Sequence, residues 1–457
     1  MNPRNALSWR VLAALLALGP GAAAHAHAGL PETSNVTLRR GHPEDFFVGT
    51  TFGAVISRDS GKTFRWICPD ALGAAAWQPR AFLWREAGDI MAASGNALLR
   101  SPDGGCTWNT HPYFASNWVT GLAAHPTDDR ILYAVTGRTL AGLANGVHRS
   151  RDGGETWEAT SLLRTGLTLN GVRVSSADPR RVYATGDASG KLMLLRSDDA
   201  GDTWQEFTHT LPDLLRPYDL IVEAVGPTSA DSVFFQVSAQ GYTHLLRSDD
   251  GGRTLTQLDV LADRFINMDL SSDGNTAWVG TLNYFFRGPS TGPLEKQPLP
   301  TGNACVLRVG ETLYGCGSTW LHDWALARST DQGTTWQPIF GLYDIQGPHH
   351  CPRGTPVREL CPARWPQLAE QLGAPLYPDG PDGGPEEPPP VDAGTPDAGT
   401  PDAGTPDAGG PTDPEQPPAP KTDGCGAAPG NAVPLLMLLS TLTTLTLGRR
   451  GRRRPDR

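Results

Sequence analysis

From about residue 42 to residue 340 the chain alternates short apolar runs with turn residues. The runs are rich in β-branched and aromatic side chains and are too short for helices. "RGHPEDFFVGTT", "AAHPTDDRILYAVTG", "SADPRRVYATGD" and "VLRVGETLYGCGS" each read as strand, tight turn, strand. A third short strand follows, as in "GVHRS" or "LMLLRS", and a fourth begins with "TWEATSL". No 3.6-residue period competes within this body. A helix is expected only over Trp365–Leu372 ("WPQLAEQL").

Between the third and fourth strands one octapeptide recurs. Its copies are Ser57 "SRDSGKTF", Ser101 "SPDGGCTW", Ser150 "SRDGGETW", Ser197 "SDDAGDTW", Ser248 "SDDGGRTL" and Ser329 "STDQGTTW". The steps between them are 44, 49, 47, 51 and 81 residues. The last step is nearly double, and a worn copy fits at Phe286–Pro300, keeping Gly292 but lacking the Asp and Trp. Seven units of this length, four strands each, predict an all-β seven-bladed β-propeller.

The octapeptide resembles the Asp-box, or BNR repeat, of sialidases, sortilin-type receptors, Ycf48-type assembly factors and xyloglucanase-like hydrolases. The resemblance implies a fold and not an activity, because those propellers do unrelated work. Turn chemistry makes Asp59, Asp103, Asp152, Asp199, Asp250 and Asp331 structural: each carboxylate can accept from the backbone of its own turn. Trp108, Trp157, Trp204 and Trp336 are expected to pack between blades. A Ca²⁺ role for the Asp set is unattractive, since the copies lie in separate blades and Ca²⁺ takes six or more oxygens.

The two ends change the picture. Arg4 and Arg10, the run Val11–Leu18 and the small residues around Ala26-His27-Ala28 predict a signal peptide over 1–28. At the other end Gly424-Cys425-Gly426, the apolar run Val433–Leu447 and an Arg cluster resemble the MYXO-CTERM sorting tail of myxobacterial surface proteins. That resemblance implies an exported chain, sorted by dedicated machinery and held at the cell surface through Cys425 and an apolar anchor helix. The expected organisation is signal peptide 1–28, propeller 29–345, a Cys-containing extension 346–373 packed on it, a disordered Pro/Asp/Ala/Gly stalk 374–424, and the tail 425–457. The stalk repeats "DAGTP" and has too few large apolar residues to fold.

Charge excludes one class of partner. The chain carries −10 overall. Setting aside the basic ends leaves the body at roughly −17, the opposite of what phosphate neutralisation requires, so no nucleic acid is expected. A monomer is expected.

Six cysteines remain for an oxidised body. Cys305 and Cys316 face each other across a turn at Gly310-Glu311. Proximity pairs Cys351 with Cys361 and leaves Cys68 with Cys106, one choice among fifteen. The sharper reading of His349-His350-Cys351 is a metal site, set aside because no second cluster at zinc spacing supports it. No cofactor is expected.

If the octapeptide joins strands three and four, it lies on one face of the disc. The turns between strands two and three, and between blades, lie on the other face. Expected there are Trp77, Arg80, Tyr113, Phe114, Trp118, Arg164, Tyr218 and Arg264 from between blades. From within blades come Arg138, Asp187, Tyr242, Tyr284, Trp320, His322, Asp323 and Trp324. Aromatics mixed with Arg suit a sugar or a peptide. A sialidase needs an Arg-Ile-Pro that is absent. A general glycosidase needs two facing carboxylates, for which only Asp187 and Asp323 offer themselves. The expectation is therefore a surface-displayed, non-catalytic propeller binding a glycan or protein, with a carbohydrate-active hydrolase or a structural envelope or assembly protein as alternatives.

Overall fold

The computed structural model describes residues 31–73, 81–211 and 218–376. The signal peptide, the stalk beyond residue 376, the tail with Cys425, and Trp77 and Arg80 lie outside the described residues. Among the described residues no helix is long and apolar enough to cross a membrane.

Seven sheets follow one another along the described chain, each built on four consecutive antiparallel strands, the first gaining a fifth strand from beyond the last blade. Blade 1 consists of Thr33–Arg39, His42–Thr50, Gly53–Ser57 and Phe64–Ile67. Blades 2 to 7 cover 81–110, 119–165, 167–209, 218–261, 265–297 and 306–340. Every octapeptide joins the third strand to the fourth, and so does the worn copy, which lies between Phe285–Pro289 and Glu295–Gln297.

Burial explains the strand composition. The second and third strands of a blade are covered on both faces by neighbouring blades. Leu132–Thr136 is therefore buried throughout, where a one-sided strand would alternate. The fourth strands form the rim, and Glu158–Thr165 exposes most of its side chains. Tyr133 on the second strand of blade 3 donates its hydroxyl to Ala200 O of blade 4 at 2.9 Å. Tyr183 does the same to Ala230 O of blade 5 at 2.7 Å, and Trp278 Nε1 to Gln332 O of blade 7 at 3.0 Å. The octapeptide Trp packs backwards: Trp108 against Phe47 of blade 1, Trp336 against Phe285 of blade 6.

The ring closes without sharing a sheet between the first and last blades. Phe64 stacks on Phe340 at 3.9 Å and Phe46 meets Tyr314 at 5.4 Å. Past blade 7 the strand Ile345–Pro348 joins the outer edge of blade 1, parallel to Phe64–Ile67. A helix, Pro356–Leu372, then packs on that blade.

This helix begins nine residues before the expected Trp365. Pro362 and Pro366 lie inside it and mask its period, because proline usually ends a helix. Pro356 takes the first turn, where no amide is missed. Val357, Cys361, Trp365, Leu368 and Leu372 form one buried stripe.

Two of the three expected disulfides are corrected. Cys305–Cys316 forms as expected, across the Val309/Thr312 turn, with Cα atoms 4.7 Å apart. The others are Cys68–Cys361 and Cys106–Cys351, not Cys351–Cys361 and Cys68–Cys106. Cys351 lies against the octapeptide of blade 2. Cys361 sits on the buried stripe of the helix, facing blade 1, where its Sγ accepts the Cys68 amide at 3.1 Å. Short separation in sequence is outweighed because Cys351, in the segment before the helix, meets blade 2, while the helix carries Cys361 to blade 1.

Candidate functional site

The octapeptide carboxylates recur in six of the seven blades. In the third copy Asp152 Oδ1 accepts from Ser150 Oγ at 2.8 Å and from the Thr156 amide at 2.9 Å. Its Oδ2 accepts from Thr156 Oγ1 at 2.5 Å, and Ser150 Oγ accepts from the Gly154 amide at 2.7 Å. Asp59, Asp199, Asp250 and Asp331 repeat this pattern with Thr63, Thr203, Thr254 and Thr335. Asp103 holds the Ser101 hydroxyl and the amides of Cys106 and Thr107. Hydrogen bonds from Thr335, by hydroxyl and then amide, hold the Asp331 carboxyl down at about 2. Partial burial opposes the same shift at Asp152 and Asp250, but the Thr bonds outweigh it, and both also sit at about 2. These carboxylates are committed to their own turns. The worn copy holds its hairpin differently: Asp259 of blade 5 accepts the Leu294 amide at 2.8 Å.

Strand alternation places the second-to-third turns and the inter-blade segments at the opposite end of every blade. Trp118 leads into the first strand of blade 3 and is 43% exposed. Its carbonyl accepts the Gly137 amide at 3.0 Å, which brings the next turn over it. The Arg138 guanidinium then lies 5.7 Å from the Trp118 ring centre and donates to Ser116 O at 2.8 Å. Asn145 braces this turn from both sides of the Arg138 peptide. Tyr113, also well exposed, donates to or accepts from His148 Nδ1 at 3.1 Å. Burial holds the His148 imidazole down at about 4.

A second exposed patch belongs to blade 7. Trp320 and Leu321 stand on a short helix, Thr319–His322, that the strand pattern did not anticipate. Trp320 Nε1 donates to Pro31 O at 3.1 Å. Leu321 is the most exposed large apolar side chain among the described residues, at 67%. Tyr242 is exposed at the corresponding turn of blade 5. Arg264 is exposed beside Asp263, whose buried carboxylate ties Thr281 and Asn283 of blade 6.

Other residues of the expected set are turned to packing. Trp324 is 4% exposed and stacks on Trp336 at 6.3 Å. His322 Nε2 donates to Thr301 O at 2.7 Å. Phe114 is buried, and Arg164 pairs with Glu206. Tyr284 lies under the Lys296 ammonium, 3.3 Å from its ring centre. Tyr218 opens the first strand of blade 5. The two residues with catalytic potential are built into local turns, Asp187 by its carboxylate and Asp323 by its backbone. Asp187 Oδ1 accepts the Gly190 amide of its own turn at 2.9 Å. Asp323 ends the Thr319–His322 helix in the left-handed region, and its carbonyl accepts from Tyr343. No contact joins the two.

Two features escaped the sequence reading. Along the innermost strands, Arg173 of blade 4 reaches Glu223 of blade 5, donating from Nε to its carbonyl at 2.8 Å. Asp269 of blade 6 accepts the Arg308 amide of blade 7 at 2.7 Å, and burial raises its pKa. Isolated charges within strands give no sequence signal of this kind. The other feature is a cleft of about 240 Å³ at the octapeptide side of blade 1. It is lined by Ser57, Arg58, Asp59, Arg65, His349 and His350, among others.

No protein-family model and no curated protein matches this chain. Solved structures similar to it include an ancestral GH74 enzyme, at 13% identity and a TM-score of 0.47 over 67% of this chain and 48% of that one. This chain thus spans about half the length of that enzyme. YCF48 from Cyanidioschyzon merolae is similar at 13% identity and a TM-score of 0.42, over 63% of this chain and 93% of that one. The Dos1 propeller is similar at 13% identity and a TM-score of 0.45, over 68% and 84%.

Proposed function

We propose that this chain is an Asp-box propeller that binds a glycan or protein ligand on the face opposite the octapeptides and does not hydrolyse it. The observation that carries this reading is the Trp118–Arg138 pair. An exposed indole beside a guanidinium offers an apolar platform and directed donors. Trp320, Tyr242 and Arg264 extend the same face. The engagement of the Asp187 carboxylate in its own turn favours binding over hydrolysis.

In the same reading the chain is exported by its 1–28 leader. The 374–424 stalk holds the 29–345 propeller, with its 346–373 extension, away from the membrane. The 425–457 tail delivers it to the surface through Cys425.

The test is glycan-array and peptide-library binding by the wild type, then by Trp118→Ala, Arg138→Ala and Trp320→Ala. Loss of a hit by tenfold or more, at unchanged melting temperature, is the expected result. Turnover of a polysaccharide panel that disappears in Asp187→Ala or Asp323→Ala sinks the non-catalytic reading. Cys425→Ala should release the protein from the cell surface; retention there overturns the tail assignment.

A further inference from the structure

The Cys106–Cys351 disulfide has different surroundings from the other two. Cys68, Cys361, Cys305 and Cys316 are fully buried. Cys351 is only partly buried, and His349 stands two residues before it. An imidazole nitrogen of His349 and the sulfurs of Cys106 and Cys351 all lie within 4.8 Å of one another. The 240 Å³ cleft is lined by His349, which brings solvent to the imidazole side of the cluster.

The octapeptide does not need a cysteine at this place. The other copies carry Lys62, Glu155, Asp202, Arg253 and Thr334 there. Each side of the cluster is also held without the disulfide. The Cys106 amide donates to Asp103 Oδ1 at 3.1 Å, inside its own turn. The His349 amide donates to Trp66 O at 2.7 Å, extending the Ile345–Pro348 strand. Cys68–Cys361 fastens the helix behind.

The geometry points to a second state of this cluster: with Cys106–Cys351 reduced, the two thiolates and the His349 imidazole bind one zinc-type divalent cation. Sulfurs on a tetrahedral zinc sit about 3.8 Å apart, so the two reduced side chains part to admit the ion while His349 stays within reach, and a water supplies the fourth ligand. Two thiolates and an imidazole select soft or borderline ions over Ca²⁺ or Mg²⁺.

The reductant is a dithiol. Its thiolate attacks the sulfur of Cys351, the less buried of the two cysteines, and Cys106 leaves as thiolate. The second thiol of the reductant then displaces Cys351 and closes a cyclic disulfide. Two electrons pass to the protein, and both cysteines end as thiols. Metal entry then releases two protons, one from each thiol, so the net charge of the cluster is unchanged.

The experiment uses the full chain with Cys425→Ser, to remove the seventh thiol. The protein is reduced under native conditions with limiting dithiothreitol until two thiols per chain react, with the buried Cys68–Cys361 and Cys305–Cys316 pairs verified closed, then desalted without oxygen and titrated with Co²⁺, then Zn²⁺. Expected are one Co²⁺ per chain with a thiolate-to-cobalt charge-transfer band, displacement by Zn²⁺, and about two protons released per Zn²⁺ ion bound to the reduced apo-protein at neutral pH. The oxidised protein should take up neither ion. His349→Ala should keep both thiols but weaken binding about 100-fold or more. Three results overturn the proposal. The reduced protein binds no more Co²⁺ than a Cys106→Ser/Cys351→Ser variant; or His349→Ala binds as tightly as the parent; or reduction alone abolishes the β-sheet circular dichroism.

Discussion

Removing the two long-range disulfides should destabilise the protein more than additively. Cys68–Cys361 spans 293 residues and Cys106–Cys351 spans 245. They are nested, so neither acts alone. With Cys106–Cys351 in place, adding Cys68–Cys361 closes only the stretch from Cys68 to Cys106 and that from Cys351 to Cys361, roughly 48 residues. Chain-entropy scaling then gives about 4 kcal/mol for cutting either one. Cutting both also frees the outer loop and costs about 9–10 kcal/mol, which exceeds twice the single loss by about 1.5 kcal/mol. That total is comparable to the whole stability of a typical domain, about 5–15 kcal/mol. The variants are Cys68→Ala/Cys361→Ala, Cys106→Ala/Cys351→Ala and all four together. Urea unfolding followed by Trp fluorescence should find both double variants folded, with lowered midpoints, and the quadruple variant largely unfolded at 25 °C. Bridges of local type, closing about 10 and 38 residues, share no loop and their losses simply add. Additive losses, or a quadruple variant no weaker than a double, refute the nested clasp.

Further outcomes follow from single contacts. Asp152→Ala removes the acceptor of three hydrogen bonds at an exposed turn and should cost about 1–2 kcal/mol in urea unfolding; Asp152→Asn should restore part of it. Gly280→Ala would place a Cβ 1.3 Å from the Ala304 carbonyl oxygen, where only backbone can give way. It should lower stability by about 3 kcal/mol or expression to nothing. Acid should act in two steps. His148 is held neutral by burial, so its contribution is complete above the unfolded value near 6.5 and is lost as pH falls towards 4. The octapeptide carboxylates have lowered values, so theirs is present above about 4 and lost as pH falls towards 2. Burial lowers His349 to about 4 in the same way, so His148→Gln should shrink the upper step of a melting-temperature profile without abolishing it and leave the lower step unchanged.

The blades are legible in the sequence because their information is local. Ser, Asp, Gly and Thr of each octapeptide bond within eight residues, so their spacing alone counts the blades and finds the worn copy around Gly292. Strand order follows from short turns, and so does the face on which Trp118, Arg138 and Trp320 emerge. Tertiary structure decides the rest, wherever residues far apart in the chain meet. It turns Trp324 inward and leaves Trp320, four residues earlier, at the surface, because a short helix intervenes. It pairs Cys68 with Cys361 and Cys106 with Cys351 because closing the ring returns the chain to blade 1. It also supplies Cys106, 243 residues away from His349 in sequence, as the partner that His349-His350-Cys351 lacked. Turn chemistry acts over a few bonds and is written in order along the chain; ring closure is a contact between its ends, and sequence spacing carries no record of it.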